Sequence, residues 1–133
     1  MLDIAYRLDL KAKGGVAHNR IGRLYRSIGH LDEAMRHLGT GQALFVAAED
    51  ERGVASSIDD IGKVHWMRGN YEASERFMHR ALELRKELAE READFDGTLS
   101  PGSKRSIALS LNNLGLVYQD SGRFSEAKAA FEE

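Results

Sequence analysis

The sequence contains no cysteine and only one proline, Pro101. Without cysteine the chain can form neither a disulfide framework nor a thiolate metal site, which agrees with a reducing compartment. The longest uninterrupted apolar run, residues 43–48, is far too short for a membrane span, and no signal-peptide pattern opens the chain. We therefore expect a cytoplasmic protein without membrane attachment.

The sequence also lacks the motifs that usually accompany catalysis or nucleic-acid binding. It has no GxxxxGK[ST] phosphate loop, no GxSxG elbow and no GxGxxG turn, and its five histidines show no HExxH-type spacing. The formal net charge of −2 provides no overall basic field for a nucleic acid. The sequence thus predicts a protein that is not an enzyme, holds no cofactor or metal and binds no nucleic acid.

What the sequence does contain is a recurrent helical pattern, most regular in residues 110–131. Four residues at spacings i, i+3, i+4 and i+7 share one face of a helix: Leu111, Leu114, Gly115 and Tyr118. Gly122 then breaks the pattern, and a second apolar stripe follows at Phe124, Ala127 and Phe131. The two stripes predict an antiparallel helical hairpin.

The same columns occur twice more upstream, without gaps. The first copy contains Ile21, Gly22, Tyr25, Gly29, Leu31, Ala34 and Leu38, and the second contains Ile61, Gly62, His65, Gly69, Tyr71, Ser74 and Met78. Gly22 and Gly62 lie 40 residues apart, whereas Gly115 lies 53 residues after Gly62. A sequence built on such a period is an array of repeated helix pairs.

The pattern resembles the tetratricopeptide repeat family, whose repeats carry a small residue on helix A, an aromatic one turn later, a turn glycine, and Ala and an aromatic on helix B. The period near forty resembles the family's longer-helix subgroup. The resemblance implies an all-α fold: an α-solenoid of antiparallel helix pairs, forming a right-handed superhelix of about three repeats. His65 and Ser74 depart from the pattern, so the middle repeat is the least regular.

We predict one domain, residues 1–133, with a leading helix at 1–13 that Gly14 and Gly15 terminate. Repeat 1 spans residues 15–50, repeat 2 spans 53–93, an inserted exposed loop spans 94–104, and a truncated repeat 3 spans 105–133. The loop is either a tolerated surface insertion or a flap over the groove carrying a regulatory site. The truncation predicts a fragment of a longer array, or one that self-associates through its ends.

The resemblance places binding in a concave groove lined by helix A residues that point away from helix B. Helical spacing assigns thirteen residues to this face: Asn19, Arg20, Arg23, Arg26, Asp59, Asp60, Lys63, Trp66, Met67, Asn112, Asn113, Leu116 and Gln119. The arginines suit a carboxylate, unless they pair with the neighbouring aspartates. The tryptophan is either an apolar anchor for a partner or packs on the next helix A.

The histidines carry simpler predictions. His65 occupies an aromatic column and is expected to be a hydrogen-bonded interior residue, whereas His30 and His37 are expected to be solvated. The favoured function is a noncatalytic scaffold that binds a partner peptide or helix in the groove. Two alternatives remain open: a ligand- or peptide-responsive sensor module of a larger signalling or transcription regulator, and a self-assembly module that leaves the groove empty.

Overall fold

The structure is a computed structural model that describes residues 2–121, with side chains from Asp3 onward. These residues form five α-helices and no strand: α1 (Leu2–Ser27), α2 (Leu31–Ala47), α3 (Glu51–Met67), α4 (Tyr71–Arg91) and α5 (Pro101–Asp120). The prediction of an all-α helical repeat is therefore confirmed. Helix α1 pairs with α2 and α3 with α4, while α2 packs against α3 and α4 against α5. The second helix predicted for repeat 3, with Phe124 and Phe131, lies outside the described residues.

Equivalent turns join the two helices of each described pair, as the matching glycine columns predict. Gly29 and Gly69 both adopt the left-handed conformation, with φ of 81° and 80°. In each turn the amide of the following residue reaches back five residues: His30 N–H donates to the Tyr25 carbonyl and Asn70 N–H donates to that of His65, both at 2.9 Å. This Schellman-type closure needs a left-handed residue, which glycine supplies without steric penalty.

Helix α1 runs unbroken through Gly14 and Gly15, so the prediction of a separate leading helix at residues 1–13 is wrong. The two glycines allow close helix packing instead of ending the helix. A Cβ at Gly15 would lie 2.9 Å from the ring of Phe45 on α2, and one at Gly14 would lie 3.2 Å from Leu44. This close packing of α1 on α2 depends on residues distant in sequence. The packing stabilises the helix by more than the two glycines destabilise it through their weak helix propensity.

The connections between pairs differ in length. Three residues separate α2 from α3, and the Asp50 side chain caps α3 by accepting a hydrogen bond from Gly53 N–H at 3.0 Å. The second connection is residues 92–100, so the inserted loop is shorter than the predicted 94–104. It ends at Ser100, whose hydroxyl accepts from Ser103 N–H at 3.1 Å, and Pro101 occupies the first turn of α5 rather than the loop. Proline is favoured there because that turn's N–H groups have no intrahelical partner.

Apolar residues of consecutive helices form the core between repeats. Ala34 and Leu38 of α2 cluster with Ile61 and Val64 of α3. One repeat later, α4 and α5 contribute a cluster of Met78, Leu82, Leu114, Val117 and Tyr118. The columns that carry the sequence repeat are thus the columns that bury apolar area between neighbouring helix pairs, which stabilises the stack.

Candidate functional site

The thirteen predicted groove residues lie on the A helices, α1, α3 and α5, but the structure separates them into two groups. Four are buried between helices and offer no free surface: Asn19, Asp59, Asp60 and Asn113. For these four, the assignment to an exposed groove is wrong. The A helices approach one another closely enough to bury the polar side chains on their facing sides, which helical spacing alone does not reveal.

Asp60 joins the first repeat to the second. Its carboxylate accepts hydrogen bonds from Arg23 Nε at 2.7 Å and from Arg26 Nη1 at 3.3 Å, both on α1. The Asp60 side chain is 4% exposed, whereas that of Arg23 is 44% exposed and also reaches Ser56 Oγ at 3.0 Å. Arg23 and Arg26 therefore pair with one aspartate of the next repeat, a buried one rather than one on a solvated face. Arg23 retains a solvent-facing edge.

Asp59 plays the equivalent role between the second and third repeats. Its Oδ2 accepts from Arg85 Nη1 on α4 at 2.6 Å and from Asn113 Nδ2 on α5 at 3.1 Å. Arg85 also donates to the hydroxyl of Ser110. Among the described residues, Asp59 Oδ1 has no hydrogen-bond partner although it is buried. A buried carboxylate with guanidinium and amide donors ties three helices together.

Asn19 completes this polar series at the α1 end. Its Oδ1 accepts a hydrogen bond from the Ser57 hydroxyl on α3 at 3.0 Å. Gly41 of α2 lies against the same oxygen, which a Cβ at that position would meet at 2.4 Å. The absence of a Cβ at Gly41 therefore allows α2 to approach Asn19 closely. Asn19, Asp60 and Asp59 with Asn113 form one row of buried polar contacts along the A helices.

Trp66 packs on the neighbouring repeat. It is half-buried, lies against the cluster that contains Leu114 and Val117, and donates its indole N–H to the Asp120 carboxylate on α5. Trp66 therefore packs on the next A helix, which is the second of the two roles considered for it. An indole buried on one side and hydrogen-bonded at its edge is held in place by its own protein.

The remaining predicted residues keep accessible surface. Arg20, Met67, Asn112 and Gln119 are exposed, and Lys63 and Leu116 are half-buried. Together with the outer edge of Arg23, these side chains form what we call the A-helix surface: Arg20, Arg23, Lys63, Met67, Asn112, Leu116 and Gln119. Its three cations lie on α1 and α3, where Asp59 and Asp60 are turned inward, whereas the exposed Asp120 at the end of α5 accepts from Trp66. Such a surface attracts an acidic or carboxylate-bearing ligand.

His65 differs from its predicted role. The ring stacks on Phe77 with centroids 5.2 Å apart. The imidazole thus takes the place of the aromatic side chain that the repeat pattern has at this position. Its Nδ1 is buried and has no hydrogen-bond partner among the described residues, contrary to the expected hydrogen-bonded interior histidine. Burial, with the nearby charges of Arg68 and Arg76, lowers the pKa of His65 below its ordinary value. The ring is therefore neutral near pH 7.

Two histidines on neighbouring helices face each other, which the sequence pattern did not predict. His18 on α1 and His37 on α2 face each other with their Nδ1 atoms 3.1 Å apart, and Tyr25 stacks on His37 at 5.4 Å. His37 is half-buried, so the expectation that it is solvated is wrong, whereas His30 is exposed as expected. The repeat alignment could have indicated that His37 is partly covered, because His37 precedes the core residue Leu38 and Tyr25 occupies the aromatic column.

The described residues contain no cluster of three or more His, Cys, Asp or Glu side chains arranged to hold a metal ion. In the same part of the chain, no helix is both long and apolar enough to cross a membrane. The geometry instead defines a class of protein: an α-helical repeat domain, in which helix pairs stack through apolar columns and a row of buried polar contacts.

Comparison with known proteins identifies the family of this helical repeat domain. A family model described as tetratricopeptide repeat matches residues 54–92 and 107–133. The chain belongs to the tetratricopeptide repeat family. A comparison with curated proteins finds no match.

Two solved structures share the fold. The structure of BtubC (BKLC) from P. vanneervenii matches with a TM-score of 0.70 and 19% sequence identity over 89% of this chain. The present chain spans 44% of the length of that protein chain. The TPR domain of Arabidopsis FLU matches with a TM-score of 0.74 and 11% identity, over 92% of both chains. At these identities the similarity concerns the fold. A repeat fold of this family supports a protein-interaction scaffold in general terms.

Proposed function

We propose that this protein is a noncatalytic cytoplasmic scaffold whose A-helix surface binds an acidic segment of a partner protein. The observation that carries the proposal is the division of charge on the A helices. Asp59 and Asp60 are buried in contacts between repeats, while Arg20, Lys63 and the edge of Arg23 remain accessible. The inward aspartates join neighbouring repeats and leave a net positive outer face on the α1 and α3 part of the surface.

The shape of the surface favours an extended peptide or a helix. Its cations come from α1 and α3, and the uncharged polar residues Asn112 and Gln119 come from α5. A partner lying across the three A helices would meet guanidinium and ammonium groups at one end and amides at the other. Arginine binds carboxylates through parallel hydrogen bonds, and amides can pair with backbone groups. Met67 adds an exposed apolar contact between them.

The test is a quantitative capture experiment from native lysate with three forms of the chain. Arg20→Glu combined with Lys63→Glu reverses the charge of the surface, whereas Arg36→Glu reverses an exposed arginine on α2 and serves as the matched control. We expect partner proteins to be retained by the wild type and the control and lost by the double variant. Equal retention by all three forms would overturn the proposal. Circular dichroism of each form confirms that the helices are intact.

A further inference from the structure

An unpartnered apolar stripe runs along the outer side of α1. Three members lie in the second half of the helix, at spacings of three and then four residues, and they are accessible: Ile21 is 38% exposed, Leu24 67% and Ile28 65%. Leu10, 48% exposed, lies on the same face of α1 eleven residues before Ile21, with the exposed Ala17 between them. From Leu10 to Ile28 the stripe is about 27 Å long, which matches a partner helix of roughly five turns.

The repeats themselves show what kind of element covers these columns. Ile21 corresponds to Ile61 and Leu114, which are 5% and 2% exposed, and Leu24 corresponds to Val64 and Val117, which are both fully buried. In α3 the column is covered by α2, through Ala34 and Leu38; in α5 it is covered by α4, through Met78 and Leu82. Each covering element is a helix that presents two apolar residues at i and i+4.

The covering helix is not joined to α1 by the turn that connects the described repeats. Residues 48–50 form the turn between α2 and α3, and the positions forty residues earlier, 8–10, lie inside α1. From Leu10 back to Leu2 the helix continues for about 12 Å beyond that point. A helix that reaches the stripe therefore arrives by a different route from α2 and α4.

The charges beside the stripe define the chemistry of that helix. Four exposed cations flank it: Arg7, Lys11, Lys13 and Arg20. The exposed carboxylates of this part of α1 are Asp3 and Asp9, and Asp9 already pairs with Lys13 at 3.0 Å. Two copies of α1 lying side by side would bring these basic flanks together, which opposes self-association. An acidic flank on the incoming helix is complementary.

We propose that the outer face of α1 docks an amphipathic helix of a partner protein, with apolar residues at i, i+4 spacing and acidic residues on either side. This surface shares only Arg20 with the A-helix surface, and its partner is a second one. The apolar stripe supplies the contact area, and the four cations select the charge of the helix. Ile21 and Leu24 then become buried as their counterparts in α3 and α5 are.

The probes are two synthetic helical peptides with the same apolar residues and opposite flanks, one carrying glutamates and the other lysines, titrated against the full 133-residue chain. We expect the acidic peptide to bind about tenfold more tightly than the basic one at low salt, with the difference shrinking in 0.5 M NaCl. Leu24→Glu should weaken binding of the acidic peptide by about tenfold or more. Val46→Glu, at an exposed apolar residue of α2, is the matched control and should change nothing.

Three results would overturn the proposal: equal binding of both peptides, no binding of either, or binding that Leu24→Glu leaves unchanged.

Two other occupants of the apolar stripe are tested in parallel. Concentration-dependent dimerisation in sedimentation, abolished by Leu24→Glu without any binding of the acidic peptide, would assign the stripe to a second copy of the chain. Leu24-dependent binding to anionic vesicles of phosphatidylglycerol, again without peptide binding, would assign it to a membrane surface. Arg20 also belongs to the A-helix surface, so it is left unchanged here, and Lys63→Glu should not affect peptide binding.

Discussion

Asp60 of α3 accepts a hydrogen bond from Arg23 of α1 at 2.7 Å, across the boundary between the first and second repeats. The carboxylate is almost entirely buried, while the guanidinium reaches it from a half-exposed position. The contact joins α1 to α3, and removal of the arginine partners within the folded stack would leave a buried carboxylate without compensating charge.

We expect Asp60→Ala to lower the free energy of unfolding by about 2 kcal/mol, since it removes the acceptor of two guanidinium groups. The control is Asp32→Ala, which breaks an ion pair between Arg68 and an almost fully exposed aspartate and should change stability by less than about 0.5 kcal/mol. Urea unfolding followed by circular dichroism measures both. Equal losses would show that the buried row does not hold the repeats together.

The glycines of the helices separate into two kinds with opposite expected effects. A Cβ at Gly53 would lie 2.1 Å from the Phe45 ring, so Gly53→Ala should destabilise the fold by about 2 kcal/mol through forced repacking. Gly39 lies within α2 with nothing near its missing Cβ, so Gly39→Ala should stabilise by about 0.5–1 kcal/mol. Thermal unfolding of the two variants tests this ordering, and a gain in stability from Gly53→Ala would contradict the observed packing.

His65 should make stability depend on pH in the acid range. Its pKa is lowered in the folded protein by burial and by Arg68 and Arg76, so the unfolded chain binds a proton that the folded chain does not. The resulting loss of stability appears as pH falls below the ordinary histidine pKa of about 6.5 and stops growing below the folded-state pKa.

The matched variant is His65→Phe, which keeps a ring against Phe77 and cannot take a proton. The wild type should lose more stability between pH 7.5 and pH 5.5 than this variant does, and the difference isolates His65 from the other four histidines. Equal losses over that interval would mean that the histidine is not protected from protonation. Unfolding titrations at the two pH values supply the comparison.

The sequence predicts much of the fold because its repeated columns are also its packing columns. Gly29 and Gly69 identify the turns, and Ile61 and Leu114 identify the buried faces, since both depend on spacing along one helix. The continuity of α1 through Gly14 and Gly15 was not predictable in this way. It depends on Leu44 and Phe45, thirty residues further along the chain, which require small residues on the opposing helix.

The candidate site was predictable only in part for a related reason. Helical spacing placed Asp59 and Asp60 together on the side of α3 away from its hairpin partner, whereas Asp60 bonds to α1 and Asp59 bonds to Arg85 of that partner, α4. Whether that side is open or covered depends on how closely the next A helix approaches, which is a property of the assembled stack. The structure covers it at the buried row and leaves it accessible at Lys63, Met67 and Asn112.

The central claim is that a partner lies on the accessible part of the A helices, and site-specific photo-crosslinking tests it most directly. A benzophenone amino acid is placed singly at Met67 or Asn112 on the A-helix surface, and at Val46 or Arg80 on α2 and α4 as controls. All four positions are exposed, so the substitutions should not disturb packing. We predict that captured partners crosslink from Met67 and Asn112 and not from the control positions. Crosslinks confined to Val46 and Arg80 would contradict the claim and place binding on the B helices.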